Sequence, residues 1–259
     1  MKNRYLLALL PLLIFALCPD SSVGNRRHFT YAYESAVLPK ASHELEIWNT
    51  VRLNRKVFYH GLDTRTEFEF GLGGNFQTSL YLNLSSEMDA SGYTDQLLGF
   101  SNEWKYKILD AAADPIGAAL YAEGSYSNSE IELEGKIILD KQIGDFLLAF
   151  NAVGEHSYVN GKGPTSVILM QTEDVAEFDG GAAYFITQNF TVGVEAYQHT
   201  KHPPSFEGGG IYSAFFAGLS LSYSGPNWWT AASVMPQIGT PELTQHEKLE
   251  ARLLLAFEF

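Results

Sequence analysis

Along most of the chain, apolar and polar residues take turns. From Thr64 to Leu72, the apolar Phe68, Phe70 and Leu72 alternate with Arg65, Glu67 and Glu69. After Gly73-Gly74-Asn75 the alternation resumes, with Phe76, Leu80, Leu82 and Leu84 against Gln77, Ser79, Tyr81 and Asn83. A repeat of two is a strand with one apolar face, and two such runs across a Gly-Gly-Asn turn form a hairpin. The same pattern predicts strands near Glu44–Val51, Leu98–Ile108, Ile116–Ala122, Ile131–Leu139, Phe146–Ala152, Ala176–Ile186, Phe190–Ala196, Ile211–Tyr223, Trp228–Val234 and Leu249–Phe259. That makes about twelve, with no apolar run long enough for a membrane-spanning helix after residue 24.

The connections alternate as well. Those after even strands are short: Gly73–Asn75, Asp110–Pro115, Ile143–Asp145, Gln188–Asn189 and Gly225–Asn227. Those after odd strands are expected to be longer, at Asn54–Asp63, Met88–Gln96, Tyr158–Thr172, Thr200–Gly209 and Gln237–Gln245, with Ser127–Ser129 as the exception. Short turns on one rim and long loops on the other are the asymmetry of outer-membrane barrels. The last strand carries Leu249, Ala251, Leu253, Leu255, Phe257 and Phe259 on one row and ends on an aromatic residue, as the closing strand of such barrels does. The predicted fold is therefore all-β: a closed antiparallel up-and-down transmembrane β-barrel of about twelve strands over residues 43–259, its termini on the periplasmic, short-turn rim. Leu253, Leu255, Phe257 and Phe259 are the expected signal for the barrel-assembly machinery.

Charge decides which row faces in. A charge in mid-membrane hydrocarbon costs on the order of 2–4 kcal/mol, so the charged rows turn to the lumen. The pore-lining candidates are Arg65, Glu67, Glu69, Glu103, Lys105, Glu132, Glu134, Lys136, Glu195, Glu250 and Arg252, with Lys107 and Glu123 in the same rows. They serve either internal salt bridging or a charge-lined conduit.

Composition refines this picture. The chain is 46% hydrophobic and 14% aromatic with 23 glycines, and its mean hydropathy is −0.08. A net charge of −13 excludes a nucleic-acid surface. Residues 1–24 read as a secretory signal: Lys2 and Arg4, then an apolar run Leu6–Leu17, then Ser22-Val23-Gly24. The single cysteine, Cys18, falls inside it, and Leu17 before it argues against lipidation. Residues 25–42 form a polar, aromatic-rich lead expected at the periplasmic end or folded into the lumen.

Other motifs carry little chemistry. His199-Thr200-Lys201-His202 with Glu195 has no helical face to gather a metal site. Gly161-Lys162-Gly163 lacks the Ser or Thr and the helix of a phosphate loop. No spacing singles out a catalytic triad, so neither enzyme nor cofactor nor metal is expected. Trp228-Trp229 is expected in an interfacial aromatic belt.

The opening Tyr31-Ala32-Tyr33-Glu34, Leu38-Pro39-Lys40 and Glu44-Leu45-Glu46-Ile47-Trp48, followed by Leu62–Leu72 and Asn75-Phe76-Gln77, resembles a family of functionally uncharacterised Gram-negative outer-membrane barrels, some described as transporters or porin-like. Where that pattern has a glycine after Leu-Pro-Lys, this chain has Ala41. The resemblance implies location and fold, and neither a substrate nor catalytic residues. Together these readings lead to a porin-like channel for passive passage of small solutes, in contact with outer-membrane lipid and lipopolysaccharide. The alternatives are a non-conducting structural or ligand-binding barrel and, behind it, a hydrolase at the outer rim.

Overall fold

A computed structural model describes residues 25–90, 92–162, 168–203 and 210–259; the signal segment expected at residues 1–24 lies outside them. Twelve strands follow in order: β1 His43–Leu53, β2 Tyr59–Gly73, β3 Phe76–Asp89, β4 Gly92–Leu109, β5 Gly117–Ser127, β6 Glu130–Ile143, β7 Phe146–Lys162, β8 Ile168–Thr187, β9 Phe190–His202, β10 Tyr212–Ser224, β11 Trp228–Pro236 and β12 Leu249–Glu258. Each pairs antiparallel with its sequence neighbours, and β1 pairs with β12 to close the barrel. At the seam, His43 and Phe259 exchange backbone hydrogen bonds of 3.2 and 3.0 Å. Closure leaves no strand edge unpaired, the condition for sheet in hydrocarbon.

The alternation sorts as its chemistry requires. Leu80, Leu82, Leu84, Phe100, Trp104, Leu133, Ile137, Val194, Leu219 and Leu253 all point outward and are exposed. An apolar surface of this extent is stable only against lipid. Phe76 meets Tyr106, Phe146 meets Tyr184 and Tyr223 meets Trp228 at ring-centroid distances of 4.5, 5.0 and 5.5 Å. These pairs sit beside the short turns and form an aromatic girdle at that rim.

Two expectations are corrected. Four of the loops after odd strands are shorter than expected, because β2, β3, β4, β7, β8 and β9 run on into Asn54–Asp63, Met88–Gln96, Tyr158–Thr172 and Thr200–Gly209, whereas the link after β11 is long, over residues 237–248. Apolar alternation stops where hydrocarbon stops, whereas backbone pairing continues with polar residues; crossing takes roughly 9–11 residues, and β8 has 20. Residues 163–167 and 204–209, inside two of the expected loops, lie outside the described residues, and with them Gly163 of the rejected phosphate-loop motif. Trp228 and Trp229 do not share a belt. Consecutive residues on a strand face opposite ways, and Trp229 is fully buried in the lumen.

Candidate functional site

The lumen holds residues 25–42. Phe29, Tyr31, Ala32, Tyr33 and Leu38 are buried among inward-facing side chains. A segment with no secondary structure must find partners for its backbone N–H groups, and the barrel wall supplies them. The Glu195 carboxylate accepts the N–H of Thr30 (2.9 and 3.0 Å to its two oxygens), of Tyr31 (2.7 Å) and of Ala32 (3.3 Å). Asn151 accepts from the Tyr33 N–H at 2.7 Å and donates to its carbonyl at 3.0 Å, as a strand would. Asp140 takes the Ser35 N–H at 3.0 Å and Gln77 the Leu38 N–H at 2.8 Å.

Side chains complete the fit. The Tyr31 phenol donates to Glu250 at 2.6 Å, its ring stacks on Tyr197 at 4.5 Å, and the Arg252 guanidinium lies 3.8 Å over it. Arg27 lies 3.8 Å over Tyr33 and 4.5 Å over Trp48. Phe29 covers Gly181, where a Cβ would come within 2.6 Å of its ring. The segment leaves the lumen through Pro39, whose carbonyl sits so close to Gly71 that no Cβ fits there. Ala41 then turns with φ 64°, the left-handed region that favours glycine, and donates to the Gly71 carbonyl at 2.9 Å.

Beyond this segment, toward the rim opposite the short turns, is a cavity of about 590 Å³ with Tyr31 and Tyr33 on its floor. Its walls are charged and sorted. Glu132, Glu134, Glu155 and Glu177 come from β6–β8; Arg52, Arg65 and Arg252 come from β1, β2 and β12, across the ring. Counter-charges temper both sides: Lys136 meets Glu134 at 3.0 Å, Arg52 meets Asp63 at 2.7 Å and Arg65 reaches Glu123 at 3.3 Å. The link Gln237–Lys248 folds over the mouth. There Arg55 and Arg52 reach Glu247 at 2.5 and 3.3 Å, and the His246 ring packs on His199 at 5.2 Å.

Six of the lumenal candidates, Arg65, Glu132, Glu134, Lys136, Glu250 and Arg252, border this cavity. The other five, Glu67, Glu69, Glu103, Lys105 and Glu195, are buried beneath or against the N-terminal segment. His199 and His202 lie three apart on β9 and so face opposite ways. His199 turns inward to Glu177 at 2.7 Å, and Glu195 is engaged with backbone. The pattern gave no notice of Asn151, Asp140 or Gln77 as partners. The signal that could have raised them is the density of Arg, Tyr and Phe in Arg26–Tyr33, out of place in a mere linker.

The chain belongs to a family of unknown function, DUF6662, which matches residues 21–259. Among solved structures, it resembles the COG4313 outer-membrane channel from Pseudomonas putida F1, at 10% identity and TM-score 0.63, over 86% of this chain and 97% of that one. It also resembles the NanC porin, at 13% and 0.55, over 82% and 98%. A third is the KdgM porin in complex with disordered oligogalacturonate, at 10% and 0.51, over 83% and 98%. No curated protein matches it in sequence. The fold is that of porin-like outer-membrane barrels.

Proposed function

We propose that this protein is an outer-membrane channel for small solutes whose short-turn half is occupied, at rest, by its own residues 25–42. The observation that carries this reading is the cavity of about 590 Å³ that opens at one rim and ends on Tyr31 and Tyr33. Its volume lies within the roughly 300–1,000 Å³ of sites for small molecules. A sealed structural barrel needs no such vestibule, and an open pore has no such floor.

The walls fit small polar solutes that carry both charges, or neutral ones with a ring. Carboxylates face arginines across the ring, and Trp48, Tyr31, Tyr33, Tyr197 and Phe216 offer apolar faces between them. A long polyanion such as the oligogalacturonate of the KdgM porin would meet the acids of β6–β8. Passage requires the N-terminal segment to shift toward the short-turn rim. In this reading that rim faces the periplasm, residues 1–24 are the removed signal, and the outward row Leu253, Leu255, Phe257 and Phe259 addresses the barrel-assembly machinery. Membrane lipid surrounds the belt and lipopolysaccharide the outer rim.

The test is solute flux into liposomes carrying residues 25–259 or 43–259. Faster swelling with zwitterionic amino acids for the shorter chain, and slower entry of oligogalacturonate, support the proposal. Equal, background-level swelling for both chains refutes it.

A further inference from the structure

Beneath the N-terminal segment, the inward rows of β1, β2 and β4 gather five glutamates, with a serine of β3 among them. Glu44 and Glu46 of β1 stand opposite Glu69 and Glu67 of β2. Ser79 of β3 lies across from Glu69 on one side and from Glu103 of β4 on the other. All six side chains are buried, none more than 4% exposed. Like charges facing across a strand pair are destabilising, and buried charge needs compensation. Arg27 and Lys105 are buried with them; ionised, the five carboxylates exceed these two cations by three charges.

Glu44 accepts from the Trp229 indole at 2.9 Å, Glu46 from the Trp48 indole at 2.5 Å, Glu69 from the Asn25 amide at 3.0 Å and Glu103 from the Tyr81 phenol. Every one of these donors is neutral, and each takes a single oxygen of its carboxylate. Among the described residues, the second oxygens of Glu44 and Glu46 meet no donor; neither oxygen of Glu67 does, and the Ser79 hydroxyl is unpartnered too. Outer donors orient Glu69 and Glu103, as they orient carboxylates that ligate metals, and Glu67 beside them keeps both oxygens without a donor among the described residues. Oxygens of Glu67, Glu69 and Glu103 lie within 4.8 Å of one another, as do those of Glu44, Glu46 and Glu69. Two oxygens bound to one calcium at 2.3–2.6 Å are at most about 5 Å apart.

We propose that Glu67, Glu69 and Glu103, with the Ser79 hydroxyl, bind a hard divalent cation of the calcium type. All the ligands are oxygens, which selects a hard ion. A buried all-protein site suits calcium over magnesium, which keeps several waters. Glu44 and Glu46 add negative charge beside it. Because Asn25 bonds Glu69, the ion braces β2 and β4 against the N-terminal segment. The site rests on the barrel and not on the channel reading.

The test uses residues 25–259, refolded in detergent, stripped with chelator and titrated with Tb³⁺, with Trp48 and Tyr81 as antennae. Expected are sensitised emission saturating at about one equivalent, displacement by Ca²⁺, and a higher unfolding temperature with Ca²⁺. Glu67→Gln should weaken binding at least tenfold, since loss of even a group that only hydrogen-bonds a ligand costs about 10–100-fold. It should keep the folded, heat-modifiable gel mobility, and Asp145→Asn, at a turn, should bind like the parent. Absent emission, or equal emission from Glu67→Gln, overturns the proposal. So does a barrel that gains stability on acidification and ignores Ca²⁺, which would assign protons to the cluster.

Discussion

Replacing Glu195 with alanine should loosen the N-terminal segment while leaving the barrel intact. The carboxylate accepts three consecutive backbone N–H groups, those of Thr30, Tyr31 and Ala32, and the Thr30 hydroxyl at 3.3 Å. A hydrogen bond to a charged acceptor contributes about 1.5–3 kcal/mol. The Ala32 bond, at 3.3 Å, is the weakest of the three. Once the segment swings away, water satisfies the freed N–H groups, so the low end of that range applies. The occupied state should weaken by about 3–4 kcal/mol, a shift of about 10²–10³ in the ratio of seated to released segment. Hydrogen exchange read by mass spectrometry measures this directly. Amides of residues 30–32 should exchange about 10²–10³ times faster in Glu195→Ala, while β1 and β12 amides keep their protection. Glu195→Gln keeps an acceptor oxygen and should fall between. A change below about threefold at residues 30–32, or loss of protection spread over the strands, would refute the assignment of Glu195 as the anchor.

Three further outcomes follow from single positions. Ala41→Gly should stabilise the folded barrel by about 0.5–1 kcal/mol in urea unfolding, since a left-handed φ costs an L-residue about 1–2 kcal/mol and glycine returns part of that as entropy; equal or lower stability would count against strain at φ 64°. Gly181→Ala should press on the Phe29 ring and cost the seated segment about 1–3 kcal/mol, read as faster trypsin cleavage at Arg26 and Arg27; unchanged cleavage would show Phe29 is not packed there. In the link over the mouth, burial works against the charge of Glu242. The His246 ring at 2.7 Å and the N–H groups of Thr244 and Gln245 nevertheless hold its pKa below the usual carboxylate value. Burial likewise holds His246 below its ordinary 6.5, against the pull of Glu242. Both groups take up protons more readily in the loose link, so its docking is complete above about pH 6.5 and is lost as pH falls, first through the histidine and then through the carboxylate. Exchange at residues 242–247 should quicken from pH 7.5 to 5 after correction for intrinsic rates, and a flat profile would refute the coupling.

The strand count and the inward and outward rows were legible because lipid and lumen impose opposite demands at every second residue. Leu253 and Arg252 declare their sides by polarity alone. Strand length was not legible: above the bilayer both faces are wet, and Tyr158–Lys162 carries no alternation while still pairing with β8. Trp229 looked like a belt residue because tryptophan suits either an interface or a packed lumen. Only its strand parity, opposite to Trp228, shows which. The seating of residues 25–42 was hidden for another reason. Its contacts join positions far apart in sequence, Thr30 to Glu195 and Tyr31 to Glu250, and no local pattern encodes such pairs. The turn after Leu-Pro-Lys was hidden too, because Ala41 adopts a conformation that a glycine would take freely and that alanine does not announce.

Single-channel recording in planar bilayers tests the plugged channel most directly, with residues 25–259 compared against residues 43–259. The expected result is mostly closed or low-conductance behaviour for the longer chain and a stable, larger conductance for the shorter one, reversed when a peptide of residues 25–42 is added from the short-turn side. Silence from both chains, though each is folded and inserted, would contradict it.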